Sequence, residues 1–212
     1  MADPIRVVAL ISGSGRTVSN LLDVIEAGGL DATLDLVVAS RPDATGLQRA
    51  RLRGVETAVV ASAAYRSGGA IDWAAMSAAV DALVLPRAPD LVILAGYMCL
   101  YVVPDALAGK VLNIHPALLP AFGGRGMWGH HVHEAVVASG VKVTGCTVHF
   151  ATNHYDAGPI ILQRTCPVRH TDTADDVADR VFALECEAYP AAVRLFAAGK
   201  LRIRGGVVEV KD

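Results

Sequence analysis

The sequence predicts an α/β fold, a Rossmann-like three-layer sandwich in which helices cover both faces of a mostly parallel central sheet. Continuous rather than alternating apolar runs, at 5–12, 34–39 and 91–95, are typical of parallel strands that are buried on both faces. The first run ends in a Gly-Ser-Gly turn, and a helical stretch follows at about 17–27. A strand, a tight turn and a helix in this order form the first unit of a doubly wound sheet.

The remaining elements follow from the same patterns. Further helices are predicted at about 47–53 and 72–85, and further strands at 57–60, 111–115, 144–151 and 160–168. The glycine-rich segment 121–129 is predicted to be a loop, and the last two strands flank a turn around Asp156. These elements continue the α/β pattern into the second half of the chain.

A long helix and a hairpin complete the chain. Cap candidates and early acidic residues follow Thr171, so the helix begins there and reaches about Ala198, with a kink or break at Pro190. A terminal hairpin is predicted around Gly205-Gly206. No internal repeat, low-complexity segment or linker is visible, so the 212 residues are expected to form a single domain.

Composition and charge exclude several classes of protein. The net charge of −2 gives no electrostatic basis for binding nucleic acid or an acidic membrane surface. The apolar stretches end well short of the roughly 20 residues of a membrane span, and no export signal is visible. The four cysteines form no Cys-x-x-Cys pair, which favours reduced thiols over a disulfide or a zinc site (Cys99, Cys146, Cys166, Cys186). We expect a soluble cytoplasmic protein.

Polar side chains gather at the end of the strand predicted at 111–115. Asn113 and His115 lie two apart on an extended segment, so their side chains point to the same side, and Pro116 ends the strand pairing. Asp156 adds a carboxylate in a later turn. Taken alone, Asn113 is also typical of a cap or turn, His115 of a histidine bonded within the core, and Asp156 of an ordinary turn carboxylate. Together, an oxyanion donor, a proton-transfer group and an orienting carboxylate predict an acyl-transfer site.

Two other clusters are open to more than one interpretation. Gly13-Ser14-Gly15 lies where a strand meets a helix, so its backbone amides either receive a phosphate or form a purely structural turn. Val18 occupies the last glycine position of a Gly-x-Gly-x-x-Gly fingerprint, which disfavours a nicotinamide dinucleotide. The run of His130, His131 and His133 has no acidic or cysteine partner at metal spacing, so we predict no metal.

The string Asn113-Ile114-His115-Pro116-Ala117-Leu118-Leu119-Pro120 closely resembles the signature of the folate-dependent formyltransferases. The resemblance covers nearly the whole chain through the order and spacing of further segments, which are the opening strand with its Gly-rich turn, 94–98, 147–150, 156–163 and Glu185 before Tyr189-Pro190. It implies the formyltransferase fold, with a nucleotide-phosphate-binding half over about 1–110 and a catalytic and folate half over about 111–212.

The resemblance also implies the reaction and its catalytic groups. The co-substrate is 10-formyltetrahydrofolate, no metal takes part, and the expected acceptor is the amine of 5'-phosphoribosylglycinamide in purine (IMP) synthesis. Asn113 steadies the formyl oxygen, His115 exchanges a proton, and Asp156 orients His115 or relays protons through water. The amine attacks directly, because no serine lies in a nucleophile elbow and no cysteine has a base next to it in sequence.

Binding residues follow from the same resemblance. The acceptor phosphate is expected at Gly13, Ser14, Gly15, Arg16 and Asn20. Arg16-Thr17-Val18 reads as an insertion before Ser19-Asn20-Leu21, which either adds Arg16 as a cation or reshapes the pocket for another amine. The amine-bearing substrate is expected to contact Glu185 and His131. Without the resemblance, Glu185 is typical of a solvent-exposed charge on a helix. The folate is expected at Leu94, Met98, Cys99, Leu100 and Tyr101, of which Leu94 and Met98 are equally typical of plain core residues.

Alternative functions remain open from the sequence. One is a formyltransferase for another amine, such as an amino sugar nucleotide or initiator methionyl-tRNA, and another is a formyltetrahydrofolate hydrolase. A third, of a different class, is a catalytically silent folate- or nucleotide-binding module, which would not need Asn113, His115 and Asp156 together. The expected partners are small-molecule substrates, without nucleic acid or membrane, and the chain is expected to be a monomer or a homodimer.

Overall fold

The computed structural model describes residues 3–211. Its strands are β1 (Ile5–Ile11), β2 (Ala32–Ala39), β3 (Glu56–Val59), β4 (Arg66–Ser67), β5 (Ala70–Ile71), β6 (Leu91–Leu94), β7 (Val111–His115), β8 (Val143–Phe150), β9 (Ile160–Pro167), β10 (Leu201–Arg204) and β11 (Val207–Val210). Its α-helices are α1 (Arg16–Glu26), α2 (Thr45–Leu52), α3 (Trp73–Val84), α4 (His130–Ser139) and α5 (Ala174–Ala197). The alternation of strands and helices confirms the predicted α/β class.

Seven of these strands form the central sheet, in the order β3-β2-β1-β6-β7-β8-β9. β1 pairs in parallel with β2 and β6, and β2 pairs in parallel with β3. β8 and β9 pair in the antiparallel direction. The prediction of a mostly parallel sheet is therefore confirmed, and its continuous apolar runs are buried as that pattern requires.

Two compact units divide the chain, Met1–Leu112 and Asn113–Asp212. In the first, the side chains of β1 from Val7 to Ile11 are fully buried between parallel neighbours. In the second, α5 packs against β8, β9 and α4. No helix within residues 3–211 is both long and apolar enough to cross a membrane.

Some boundaries differ from the predictions. α5 begins at Ala174, because Thr173 rather than Thr171 is its N-cap and Asp176 completes a capping box. The helix runs through Pro190 without a break, and Pro190 itself is buried among packed neighbours. That packing outweighs the loss of one helical hydrogen bond. The short strands β4 and β5 were not predicted.

Candidate active site

The side chains predicted at the end of β7 and in the later turn lie together in the second unit. Asn113 Nδ2 is 3.3 Å from Asp156 Oδ1. His115 Nδ1 is 3.6 Å from Asp156 Oδ2. Both β7 side chains therefore point to the same side of the strand, as their spacing predicted.

His149, which the sequence analysis did not single out, is a fourth member of the cluster. On β8, its Nε2 is 3.0 Å from Asn113 Nδ2 and 3.7 Å from Asp156 Oδ1. Its Nδ1 lies 2.9 Å from the carbonyl oxygen of Phe150, and since a carbonyl only accepts, Nδ1 donates. With Nδ1 protonated, Nε2 accepts one hydrogen of the Asn113 amide while Asp156 accepts the other. The only sequence signal was that His149 lies within the family-like string 147–150.

His115 is held as a neutral base. Its Nε2 donates to the carbonyl oxygen of Phe122 at 2.8 Å, which leaves the lone pair on Nδ1 facing Asp156. Burial lowers the pKa of His115 below its ordinary 6.5. The charge of Asp156 and the Phe122 carbonyl oppose that shift without cancelling it. At neutral pH the imidazole is therefore uncharged and ready to accept a proton.

Asp156 is held as a carboxylate. Burial acts to raise its pKa, but the contact with His149, the charge that His115 carries once it is protonated and the hydrogen bond from the amide of Gly124 together hold the pKa below 3.8. The Gly124 amide donates to Asp156 Oδ2 at 2.9 Å. The cluster therefore combines a proton acceptor on His115, a carboxylate that stabilises the imidazolium, and an amide donor on Asn113. These are the groups that acyl transfer requires.

Two glycines let the backbone approach the Asp156 turn closely. A Cβ at Gly158 would lie 1.6 Å from the carbonyl oxygen of Phe150, so no side chain fits there. A Cβ at Gly123 would lie 2.4 Å from Leu119 Cδ2 and 3.3 Å from Asp156 Cβ. Glycine at both positions allows the turn to carry Asp156 into the cluster.

The predicted phosphate turn lies in the first unit, between β1 and α1. Gly15 is the N-cap of α1 with φ of 67°, and the amide of Gly46 donates to the carbonyl oxygen of Gly13 at 3.1 Å. Arg16-Thr17-Val18 do not form an extra loop, because they are the first turn of α1, and Val18 is buried. Ser14 and Arg16 are exposed, whereas Asn20 lies a turn further along the helix and is half-buried.

The predicted folate residues divide into two groups in the first unit. Leu94, Cys99 and Tyr101 are buried. The hydroxyl of Tyr101 donates to Asp81 Oδ1 at 2.5 Å, and burial raises the pKa of the Cys99 thiol. Met98 is exposed and Leu100 is half-buried. Only Met98 and Leu100 therefore present their side chains outside the core of this unit.

The residues predicted to contact the amine-bearing substrate lie on two helices of the second unit. Glu185, on α5, is half-buried and close enough to add to burial in raising the pKa of Cys146 to about 12. His131 lies inside α4, its side chain is 58% exposed, and its Nδ1 is 3.3 Å from Glu134 Oε2. Within residues 3–211, no group of three or more His, Cys, Asp or Glu side chains is arranged to hold a metal ion.

The buried histidine of this run is His133. Its Nδ1 is buried and has no hydrogen-bond partner within the described residues. Burial is the main cause that lowers the pKa of His133 to about 4, and the nearby His130 and His115 add to the effect. His133 is therefore neutral at physiological pH.

The fold and the Asn-His-Asp cluster define a group transferase, and comparison with known proteins places it in a family. The family described as Formyl transferase matches residues 5–193, so the chain belongs to the formyl transferase family. The members of this family use 10-formyltetrahydrofolate as co-substrate.

Several named relatives cover most of the chain. The chain is 35% identical over 199 residues to the phosphoribosylglycinamide formyltransferase of Escherichia coli (strain K12), across 93% of this chain and 89% of that protein. It is 36% identical to the trifunctional purine biosynthetic protein adenosine-3 of Homo sapiens across 98% of this chain, but it spans only 20% of that protein's length. The structure of glycinamide ribonucleotide transformylase 1 from Symbiobacterium toebii matches with a TM-score of 0.88 and 41% identity, covering 100% of this chain and 96% of that one.

Proposed function

We propose that the protein transfers the formyl group of 10-formyltetrahydrofolate to the amine of 5'-phosphoribosylglycinamide, a step in IMP synthesis. The observation that carries the proposal is the arrangement of Asn113, His115 and Asp156 within hydrogen-bond or ion-pair distance, in a chain similar over nearly its whole length to phosphoribosylglycinamide formyltransferases. The catalytic assignment of these three residues is part of the proposal.

Chemically, the acceptor amine attacks the formyl carbon and forms a tetrahedral intermediate without a covalent enzyme adduct. The amide of Asn113 turns from its present partners to the developing oxyanion. His115 accepts the proton that the amine loses, and Asp156 stabilises the resulting imidazolium across the 3.6 Å between them. Proton return to the folate nitrogen releases tetrahydrofolate and the formylated amine. Holding the reactants in place supplies much of the acceleration.

Binding of the acceptor phosphate is assigned to the turn Gly13-Ser14-Gly15 and the first turn of α1. The N-terminal end of a helix carries a partial positive charge that favours an anion. Arg16 adds a full cation at the first position of this helix. The co-substrate is assigned to the loop of Met98 and Leu100, whose side chains are accessible in the first unit.

The whole chain is proposed to act as one domain, with a phosphate-binding half over about 1–110, which also carries the loop of Met98 and Leu100, and a catalytic and folate half over about 111–212. We place it in the cytoplasm as a monomer or homodimer that acts on small molecules and binds neither nucleic acid nor membrane. Light scattering across a range of protein concentrations distinguishes the monomer from the homodimer.

Formyl transfer is tested with 10-formyltetrahydrofolate, with and without 5'-phosphoribosylglycinamide. We expect loss of the formyl group only when the acceptor is present. Asn113→Ala lowers the rate about 10²- to 10³-fold, and His115→Ala about 10²- to 10⁴-fold. Formate release without acceptor would instead identify a hydrolase. Turnover with a different phosphorylated amine alone would reassign the acceptor.

A further inference from the structure

Two side chains from the pair β8–β9 enclose the backbone that follows His115. Thr147 Oγ1 donates to the carbonyl oxygen of Ala117 at 2.7 Å and accepts from the amide of Leu119 at 3.0 Å. Gln163 Nε2 donates to the carbonyl oxygen of Leu119 at 3.1 Å and to Thr147 Oγ1 at 3.0 Å. Thr147 and Gln163 are direct partners in the β8–β9 register, so the two side chains lie next to each other.

This network uses the full hydrogen-bonding capacity of the Thr147 hydroxyl and both N–H donors of the Gln163 amide. A hydroxyl has one hydrogen and two lone pairs, and Thr147 Oγ1 employs all three. Both hydrogens of the Gln163 amide are employed as well. Thr147 has no solvent exposure, so water cannot replace a lost bond without a rearrangement. Leaving one buried partner unpaired therefore costs more than the net value of the bond.

The enclosed backbone continues into the two residues that hydrogen-bond His115 and Asp156. The side chain of Leu119 packs so closely on Gly123 that a Cβ there would be 2.4 Å from Leu119 Cδ2. On one side of Gly123, the carbonyl oxygen of Phe122 accepts from His115 Nε2. On the other side, the amide of Gly124 donates to Asp156. A displacement of Leu119 therefore moves the partners of both His115 and Asp156.

We propose that Gln163 is a positioning residue for formyl transfer. Through Thr147 and Leu119 it fixes the segment 117–124 so that the carbonyl of Phe122 holds the proton of His115 on Nε2. The Nδ1 lone pair then stays directed at Asp156 and available to the attacking amine. Gln163 itself touches no reacting atom. The inference rests on the proposed function for its kinetic readout, but not for its spectroscopic one.

The chain offers a matched control for this network. Thr144 lies three residues before Thr147 on β8 and is equally buried, but its Oγ1 has no hydrogen-bond partner in the described part of the chain. Thr144→Val and Thr147→Val are thus the same substitution on the same strand. Only Thr147→Val removes bonds to the segment after His115. Gln163→Leu removes the amide at similar size, and Thr147→Ser keeps the hydroxyl.

The experiment measures kcat, the KM of each substrate and the histidine ¹⁵N chemical shifts that report which ring nitrogen carries the proton. Gln163→Leu and Thr147→Val are expected to lower kcat about 10- to 100-fold, the range that a misplacement of about 1 Å causes, with both KM values within twofold of wild type. In both variants the His115 ring should become a mixture of tautomers. Thr147→Ser is expected to retain kcat within threefold, and Thr144→Val to match wild type.

Opposite results overturn the proposal. Wild-type kcat in Gln163→Leu, or an equal loss in Thr144→Val and Thr147→Val, shows that the network does not position His115. If Thr147→Val does not fold, Gln163→Leu and Thr147→Ser decide the question. Should wild type transfer no formyl group, the proposed function fails, and an unchanged or altered His115 tautomer in Gln163→Leu still decides the positioning role.

Discussion

The turn after β1 and the loop after β7 both follow buried strands, but different kinds of hydrogen bond hold them in place. The first is short, residues 12–15, and its Gly13-Ser14-Gly15 segment is held by a backbone bond, with the amide of Gly46 donating to Gly13. The second, residues 116–129, is held by side chains, chiefly Thr147 and Gln163.

That difference indicates what each region is for. The turn after β1 leads into a helix whose N-cap, Gly15, has no side chain to cap it, so the helix end is suited to an external anion. By contrast, α5 caps itself, since Thr173 and Asp176 bond each other's backbone amides. Several backbone groups of the loop after β7 are committed to internal bonds, which suits it to the orienting role that we propose for it.

Replacing the carboxylate of Asp156, which accepts from the loop after β7, is the change with the largest expected effect. Asp156→Asn keeps an acceptor for the amide of Gly124 but removes the charge that raises the pKa of His115. We expect kcat to fall about 10²- to 10⁴-fold. The pKa of His115 should fall further, so the acid limb of the pH–rate profile moves to lower pH. A limb that moves upward contradicts this arrangement.

Gly15→Ala tests the turn side. A Cβ at Gly15 would lie 2.7 Å from the Cα of Gly46, and the left-handed φ of 67° adds backbone strain. Strain and overlap together should cost about 2 to 5 kcal/mol in the free energy of unfolding, measured in urea, and the KM of the phosphorylated acceptor should rise. Gly28→Ala is the control, because Gly28 has a similar φ of 71° but open space around it. Equal losses in the two variants would mean that the close approach of Gly46 carries no energy.

His133, on the helix after the loop, predicts a pH dependence of stability. Its folded pKa of about 4 lies below the ordinary 6.5, so the unfolded chain binds the proton first. The free energy of unfolding should fall as the pH drops from 6.5 to 4, by at most about 3 kcal/mol from this residue. His133→Leu should flatten the difference between urea midpoints at pH 7 and pH 4.5. Parallel curves for wild type and variant would exclude His133 as the cause.

The smallest expected effect comes from the helix that caps itself. Thr173→Ala removes the capping box of α5 and should lower the free energy of unfolding by about 1 kcal/mol. Because the amides at that helix end are bonded within the capping box, we expect both KM values and kcat to stay at wild-type levels. Thermal unfolding checks the loss of stability, and steady-state kinetics on the same preparation check KM and kcat. A raised KM would contradict the distinction between the N-terminal end of α1, proposed to bind an anion, and that of α5, which is capped by its own residues.

Much of the fold was predictable from local pattern. Continuous apolar runs located β1, β2 and β6, weaker strand patterns lay close to the other strands of the central sheet, and the spacing of Asn113 and His115 predicted their common side. α4 was missed because its segment His130–Ser139 follows a glycine-rich loop and carries three early histidines, so the loop signal hid the helix start.

Tertiary contacts account for what was missed in the site. The pairing of Thr147 with Gln163 depends on the antiparallel register of β8 and β9, which has a shift between Val148 and His149 that no local pattern specifies. The hydroxyl of Tyr101 likewise bonds to Asp81 on α3, a partner 20 residues away in the chain. Partners of this kind become visible only when the elements are packed.

The backbone at Asp156 limits how this site can change. Its φ of 52° lies in the left-handed region, which side chains other than those of Asn, Asp and Gly enter at a cost of about 1 to 2 kcal/mol. Asn and Gly suit the turn but carry no charge, whereas Glu brings the charge with a strained backbone and a longer side chain. Aspartate alone meets both demands, so mutation has no single-step route that keeps both the carboxylate and its relaxed turn.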